Sequence, residues 1–346
     1  MNQRKINESL IVVDIGTSSV KTSFFDLEGN ILPEFSVSIP HTVISKNDGT
    51  SEQEAELLRS IVEKSIDLVL EQSKGCIENV IGLGFDSMAS TLVGINKYGN
   101  AITPIYTYAD TRSNNQVYKI KQDFNEKILL QETGAAQHTS YIPSKIMWIK
   151  ENFNNFNEID KFIDFSTYVY SKWFENKNFK ASYSISSWSG LLDRNKLEWH
   201  SDLIKYLGIS EDKLPVLSPY DNYEKGLNKI YQKRWNKLSN TPFFLSVGDG
   251  MAATVGSGCI NRKKVAITVG STAAIRILTD SKVEEVPKGL WCYRLLDKYS
   301  LLGGSFSEGG NLINWAYSNL KLPKLENLNK ELLKLSPGAH GISILP

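Results

Sequence analysis

The stretch Val13-Asp14-Ile15-Gly16-Thr17-Ser18-Ser19-Val20-Lys21 decides how this chain folds. The apolar run Leu10–Val13 leads into it. A second run of alternating residues, Val20–Phe25, leaves it and stops at the turn signal Asp26-Leu27-Glu28-Gly29-Asn30. Two apolar runs around a corner rich in Gly and hydroxyl residues predict a β-hairpin. The plan returns far downstream in Thr268-Val269-Gly270-Ser271-Thr272-Ala273-Ala274-Ile275-Arg276. Each copy is a strand, a Gly with two hydroxyl residues, and a return strand carrying a cation. Two such hairpins, each opening a domain, point to a duplicated α/β fold with a cleft between the copies.

Outward from the first hairpin, Ser51-Glu52-Gln53-Glu54 has the form of a capping box. It predicts a helix with Leu57, Leu58, Ile61, Val62, Ile66, Val69 and Leu70 on one face. Val80–Phe85 and Leu92–Ile95 read as buried strands. Between about Asn114 and Asn240 helical stretches such as Ile142–Phe153 alternate with Asn-rich breaks, and we expect helical matter packed on the first sheet. Pro242–Val247 restores a strand, followed by Gly248-Asp249-Gly250, a small-residue helix Met251–Gly258 and a further strand Val265–Val269. The expected division is therefore residues 1–240 and 241–346.

Composition limits the functions available. The 346 residues correspond to two domains of about 150 each, and a hydrophobic share of 41% excludes a disordered chain. Lys+Arg 39 against Asp+Glu 38 leaves a net charge of +1, so no overall field favours nucleic acid or a membrane surface. Cys76, Cys259 and Cys292 lie far apart without a CxxC pair, which argues against a disulfide framework or a zinc site. The N-terminus lacks the features of a signal peptide and no apolar window reaches membrane-spanning length; a soluble, cytoplasmic protein is expected.

A glycine followed by hydroxyl residues at a tight turn offers backbone N–H groups and hydroxyls to an anion. Two such turns facing each other can grip a polyphosphate from both sides, through Gly16, Thr17 and Ser18 on one and Gly270, Ser271 and Thr272 on the other. Asp14 is placed to hold Mg²⁺ through water, and Lys21 to neutralise phosphate charge. The competing reading is a plain hairpin with a solvated Asp and Lys. No GxxxxGK[ST] loop occurs. Ser18-Ser19-Val20-Lys21 matches S-x-x-K only formally, because it lies on a strand and lacks that motif's partners. Asp249, between two glycines at a strand end, suits a general base, or alternatively a cap for the next helix. Asp110 and Arg112 offer an acceptor and a planar donor fork to a polyol, or an ion pair at a helix start. His41, His138, His200 and His340 are scattered and carry no catalytic assignment.

Taken in order, these motifs resemble those of the FGGY carbohydrate kinases, which share the actin-like ATPase duplication. The first hairpin is similar to that family's first phosphate hairpin. Thr103-Pro104-Ile105-Tyr106-Thr107-Tyr108-Ala109-Asp110-Thr111-Arg112 resembles its P-x-x-x-W-x-D-x-R segment, and the run from Gly134 through Lys145 to Trp148 resembles TG…K-x-x-W. Ser186-Ser187-Trp188-Ser189-Gly190-Leu191-Leu192-Asp193 is similar to AS-x-TG-L-x-D. Gly248-Asp249-Gly250 matches the catalytic-aspartate turn, and Thr268–Thr272 the second phosphate turn. Gly303-Gly304-Ser305-Phe306-Ser307-Glu308-Gly309-Gly310 resembles a later loop in its gluconate-kinase version.

The resemblance implies an α/β fold of two actin-like (ribonuclease H-like) ATPase domains and an ATP- and Mg²⁺-dependent phosphorylation of a sugar or sugar acid. Asp249 would be the general base, Asp14 would support Mg²⁺, and Thr17 and Thr272 would line the phosphates. Met88, Ser90, Asp110, Arg112 and Asp249 would meet the substrate. Gluconate is the first substrate expected and xylulose or another ketose or polyol the next. Two features depart from the pattern: Ser90 stands where many relatives carry a histidine, and Lys180-Ala181-Ser182-Tyr183 lacks an expected Asp. Family members also continue beyond Pro346 with the Gly-rich segment that holds adenine. On that reading the second domain is incomplete, ATP binds weakly, and the strand Val265–Val269 has an uncovered edge that favours dimerisation. The rival functions are a catalytically silent sugar-binding remnant and an actin- or chaperone-like ATPase with a protein partner.

Overall fold

The computed structural model describes residues 5–175, 179–270, 272–306, 309–336, 338–339 and 341. Ser271, Ser307, Glu308 and His340 lie outside the described residues. The first hairpin forms as the alternation predicts: β1 (Ile6–Ile15) pairs antiparallel with β2 (Ser19–Phe25), and β2 with β3 (Ile31–Pro40). Ile11, Val13 and Ile15 are fully buried on one face of β1, the period-2 signature of a half-buried strand. They pack against α1 (Ala55–Gln72), whose Leu58, Val62, Ile66 and Val69 face the same core.

The start of α1 corrects the capping box. Ser51–Gln53 is a strand, paired with Ile44–Ser45 and Ile105–Tyr106. The N-cap is Glu54, whose carboxylate accepts from the backbone N–H groups of Glu56 (3.0 Å) and Leu57 (2.6 Å). The acidic end of the motif thus takes over the capping role because the hydroxyl end is committed to a sheet. Leu57, expected on the buried face, is exposed.

Across β1 from β2 lies the strand Ile77–Ser87, parallel to β1. The strand expected at Pro242–Val247 is split into Phe243–Phe244 and Val247–Gly248, and both pieces pair parallel with Ile77–Ser87. This mixed sheet has seven strands. The helices Asn114–Asp123, Glu126–Thr133 and Ile142–Asn152 belong to the helical region expected after Asn114, which builds a second core around Ile146, Ile149, Leu192 and Leu203.

The second hairpin also forms. Ala266–Val269 pairs antiparallel with Ala273–Thr279, and a four-stranded sheet continues through Ser300–Phe306 to Trp291–Arg294. Ala266–Val269 stands at the edge of that sheet, with Ile267 and Val269 71% and 69% exposed. A third core, including Ala135, Met251, Leu278, Trp291 and Tyr293, joins the sheets. Trp188 packs on Tyr293 with ring centres 4.1 Å apart, and the Tyr141 and Tyr293 hydroxyls meet at 2.7 Å. At the same seam the Cys292 N–H donates to the Gly134 carbonyl at 2.8 Å.

Candidate active site

Three parallel strands end side by side, and each delivers one aspartate. Asp14 stands next to last in β1, directly opposite Asp86 in the neighbouring strand; Val247 is in turn opposite Asp86, and Asp249 follows Gly248. The carboxyl ends of parallel strands are where open α/β sheets leave a crevice for ligands. Here Asp14, Asp86, Asp249, Gly250, Ala252, Ala253, Thr268 and Arg276 line a cleft of about 420 Å³. Strands of both hairpins therefore line one cleft, Asp14 from the first and Thr268 and Arg276 from the second, while Gly16, Thr17, Ser18, Lys21, Gly270 and Thr272 are not among its lining residues.

The electrostatics follow from three carboxyl groups in one place. Burial pushes Asp86 up to about 8, with the Asp14 charge, a hydrogen bond to Asp14 and the Asp249 charge adding to it, against Lys21. Asp86 thus holds its proton near neutrality. Lys21 ion-pairs with Asp14 at 3.3 Å. Asp249 is exposed to the cleft, yet the protein atoms crowded around it raise its carboxyl above the ordinary range, opposed by the Gly250 N–H and the Arg276 charge and reinforced by Asp14.

Asp249 occupies the first turn of the helix Asp249–Gly256, whose N-cap is Gly248; its Oδ1 accepts from the Gly250 N–H at 2.8 Å. The flanking glycines have a steric reason beyond access to the carboxylate. A Cβ on residue 248 would lie 2.6 Å from Trp188 Nε1, and one on residue 250 would lie 2.8 Å from Trp188 Cη2 and 3.1 Å from Arg276 Nε. Only glycine lets the indole lie across the turn.

The two turns are held by different means. The Gly16 N–H donates to Ser19 O at 3.1 Å, and His41 Nε2 lies 3.0 Å from the Gly16 carbonyl. His41 Nδ1 faces Gln53 Nε2 at 2.8 Å, so it accepts there while Nε2–H donates to the turn. Thr17 is half-buried and Ser18 exposed. In the second turn the Gly270 N–H donates to Thr272 O at 2.8 Å, and the Gly310 N–H donates to Gly270 O at 2.6 Å. The helix Gly310–Asn319 thus begins against this turn.

Met88, Ser90, Asp110 and Arg112 are not among the residues lining that cleft. Met88 is buried, and Ser90, held at φ 57°, donates its hydroxyl to the Trp188 carbonyl at 2.5 Å. Arg112 spends its fork inside the protein, on Asp110 (2.6 Å) and Glu52 (2.8 Å), with its guanidinium 4.5 Å from the centre of the Trp148 ring. Lys145, in the K-x-x-W segment, is buried and donates to the carbonyls of Ser90 (3.1 Å), Thr107 (2.7 Å) and Ser140 (2.9 Å). It ties together the loops that carry Ser90, Asp110 and His138.

Asp86, Arg276, Trp188 and His41 had no site role in the sequence reading. Arg276 alone had left a signal there, as the cation of the second hairpin. Asp86 directly follows the apolar run Val80–Phe85, and only the strand register places it beside Asp14.

Residues 9–256 match the N-terminal domain model of the FGGY family of carbohydrate kinases. The chain is 24% identical over 350 residues to a gluconokinase of Bacillus subtilis (strain 168), covering 97% of this chain and 67% of that protein. It is 22% identical over 341 residues to a xylulose kinase of Lactococcus lactis subsp. lactis (strain IL1403), covering 96% and 66%. The crystal structure of a gluconate kinase from Lactobacillus acidophilus superposes with a TM-score of 0.88 at 22% identity, covering 96% of this chain and 67% of that one. That likeness shows the fold, the α/β architecture of the actin-like sugar kinases. The chain spans about two thirds of the length of these relatives. It belongs to the FGGY family of carbohydrate kinases, phosphotransferases that act on sugars.

Proposed function

We propose that this chain transfers the terminal phosphoryl group of ATP to a hydroxyl of a sugar or sugar acid, with Asp249 as general base. The observation that carries this reading is the convergence of Asp14, Asp86 and Asp249 on one cleft that both phosphate hairpins border. In the step proposed, the sugar hydroxyl gives its proton to Asp249 while its oxygen forms a bond to phosphorus. The bond from phosphorus to ADP breaks, and ADP keeps the electron pair. A carboxyl raised above the ordinary range by the protein atoms around it is the stronger base for that proton. Phosphoryl transfer depends mainly on positioning and charge stabilisation, which assigns Gly16, Thr17, Ser18 and Lys21 on one hairpin and Gly270, Ser271 and Thr272 on the other to the phosphates.

Asp14, with Asp86 beside it, supplies the hard oxygen donors that Mg²⁺ takes from one or two carboxylates, the rest coming from water and phosphate. A bound Mg²⁺ would offset phosphate charge. The strand ends hold these carboxyls in place. We assign Met88, Ser90, Asp110 and Arg112 to the substrate side. Asp110 and Arg112 act there as a preformed ion pair on which the loop rests. Gluconate is the first acceptor proposed, since gluconokinases stand among the relatives; xylulose or another ketose or polyol follows. We divide the chain into a sugar-binding part, 1–240, and a nucleotide-binding part, 241–346, with the first sheet reaching across that boundary to Gly248, and place the activity in the cytoplasm.

A sugar-binding chain with slow turnover is the second reading. It is favoured by the exposed Ile267, Val269 and Phe306 around the second turn, which leave that turn without an apolar cover among the described residues. ATP consumption by the purified chain, measured against gluconate, xylulose and glycerol, separates the two. Saturable, sugar-dependent ADP release supports the first reading. Sugar binding by calorimetry without ADP release supports the second.

A further inference from the structure

Each hairpin carries a cation on its return strand, but the two are placed and neutralised differently. On the first, Lys21 lies opposite Asp14 and ion-pairs with it at 3.3 Å. On the second, the residue two before the turn glycine is Thr268, not an aspartate, and Arg276 Nη1 donates to its hydroxyl at 3.0 Å. A hydroxyl fixes the guanidinium without cancelling its charge. Asp249 is close enough to act on Arg276 through its field, yet the two form no ion pair among the described residues. Arg276 is thus the cation lining a cleft that also holds three carboxyl groups.

Its hydrogen bonding is also incomplete. Nε is buried beside Gly250 and Trp188 and has no partner among the described residues. Trp188 Nε1, at the Gly248 end of the turn, is another buried donor without a partner among the described residues. A guanidinium uses Nε and Nη2 together as one edge, matched to two oxygens of a carboxylate or phosphoryl group. With Nη1 anchored on Thr268, that side-on edge is the one left over.

We propose that Arg276 is a catalytic residue that takes two oxygens of the transferring phosphoryl group on its Nε/Nη2 edge. This inference rests on the phosphoryl-transfer reading above. A polyphosphate entering beside Asp14 and Asp249 meets like charge, and Arg276 supplies the opposite charge at the point where the phosphoryl leaves ADP. The transfer step keeps the balance already given, and Arg276 neither gains nor loses a proton in it. The phosphoryl group is favoured over an acceptor carboxylate because Arg276 stands on the return strand of the second phosphate turn, fixed to the facing strand by Thr268.

The test uses inorganic tripolyphosphate as the probe, titrated calorimetrically into the wild type, Arg276→Gln and Arg276→Lys, with gluconate titrated in parallel. The glutamine variant is expected to bind tripolyphosphate at least tenfold more weakly. The lysine variant should recover less than half of that loss on a logarithmic scale, because an ammonium keeps the charge but not the edge. Gluconate affinity should change less than threefold. Equal tripolyphosphate affinity in wild type and Arg276→Gln overturns the proposal. So does full recovery by lysine, or a loss confined to gluconate, which would give the edge to the acceptor's carboxylate. ADP release is read separately: a tripolyphosphate effect without sugar-dependent release refutes the kinase reading and leaves the anion site standing.

Discussion

Gly134→Ala tests whether the two halves of the chain are fastened at the seam described above. Gly134 ends the helix Glu126–Thr133 at φ +72°, in the left-handed region. An alanine there costs about 1 kcal/mol from conformation alone. Its Cβ would also fall well inside the contact distance of the Cys292 carbonyl oxygen, 3.0 Å from the Cys292 carbonyl carbon and 3.1 Å from Arg194 Cδ. Two of those atoms are backbone, so relief requires the strand Trp291–Arg294 to move away. Moving it breaks the bond from Cys292 N–H to Gly134 O, worth about 1 kcal/mol. It also disturbs the buried Arg194, whose Nε donates to Gln131 O at 2.8 Å and whose Nη1 donates to Val283 O at 2.7 Å. Charged donors of this kind contribute about 1.5–3 kcal/mol each. With one of the two Arg194 bonds lost, the expected loss is therefore ~3.5–5 kcal/mol, a large part of the 5–15 kcal/mol that is usual for a folded protein.

Gly75→Ala is the internal control. Gly75 has φ +81°, and a Cβ there meets nothing within 4 Å. It should lose only the conformational part, about 1 kcal/mol. Urea unfolding of both variants followed by tryptophan fluorescence gives the comparison. Equal losses from the two substitutions would refute the claim that the seam is tight at Gly134.

Asp86→Asn should flatten the dependence of stability on pH. A carboxyl raised to about 8 from 3.8 binds its proton more tightly in the folded state, so its stabilising contribution is complete below pH 4 and lost as pH rises through 8. The slope is about 1.4 kcal/mol per pH unit, or ~4 kcal/mol between pH 5 and pH 8. Parallel wild-type and variant curves, measured by urea unfolding in chelator, would contradict this. Arg112→Ala leaves the buried Asp110 without its counter-ion and should lower stability by ~3–5 kcal/mol. Calorimetry should show it weakening sugar binding more than nucleotide binding, and an unchanged sugar affinity would confine Arg112 to a structural role. Lys145→Met removes three donors from buried carbonyls and, at about 1.5 kcal/mol or more each, should cost at least ~4 kcal/mol by the same unfolding assay, with a loss under 1 kcal/mol counting against the tie between loops.

Local features of the sequence were readable where the chemistry is local. The alternation through Leu10–Phe25 predicts β1 and β2 because period 2 on a half-buried sheet leaves its mark in the residues themselves. Gly248-Asp249-Gly250 announces an accessible carboxylate, although the packing of Trp188 across the glycines could not be foreseen. Long-range pairing is what stayed hidden. Ser51–Gln53 looks like a helix start until the strand Ile105–Tyr106 claims it. Asp86 looks like a polar residue at the end of an apolar run until register sets it against Asp14. Arg276, like Lys21, is the cation of a return strand, and only the structure shows that its Nη1 is held by the Thr268 hydroxyl where Lys21 meets a carboxylate.

The central claim, that Asp249 removes the proton from the acceptor hydroxyl, is tested most directly by Asp249→Asn. Sugar-dependent release of ADP is measured for the purified wild type and variant, with sugar affinity measured by calorimetry on the same preparations. The amide keeps the shape of the side chain and the bond from the Gly250 N–H but cannot take the proton. Turnover should fall by about 10²–10⁴-fold, while sugar affinity changes less than threefold. A variant that keeps wild-type turnover would contradict the account.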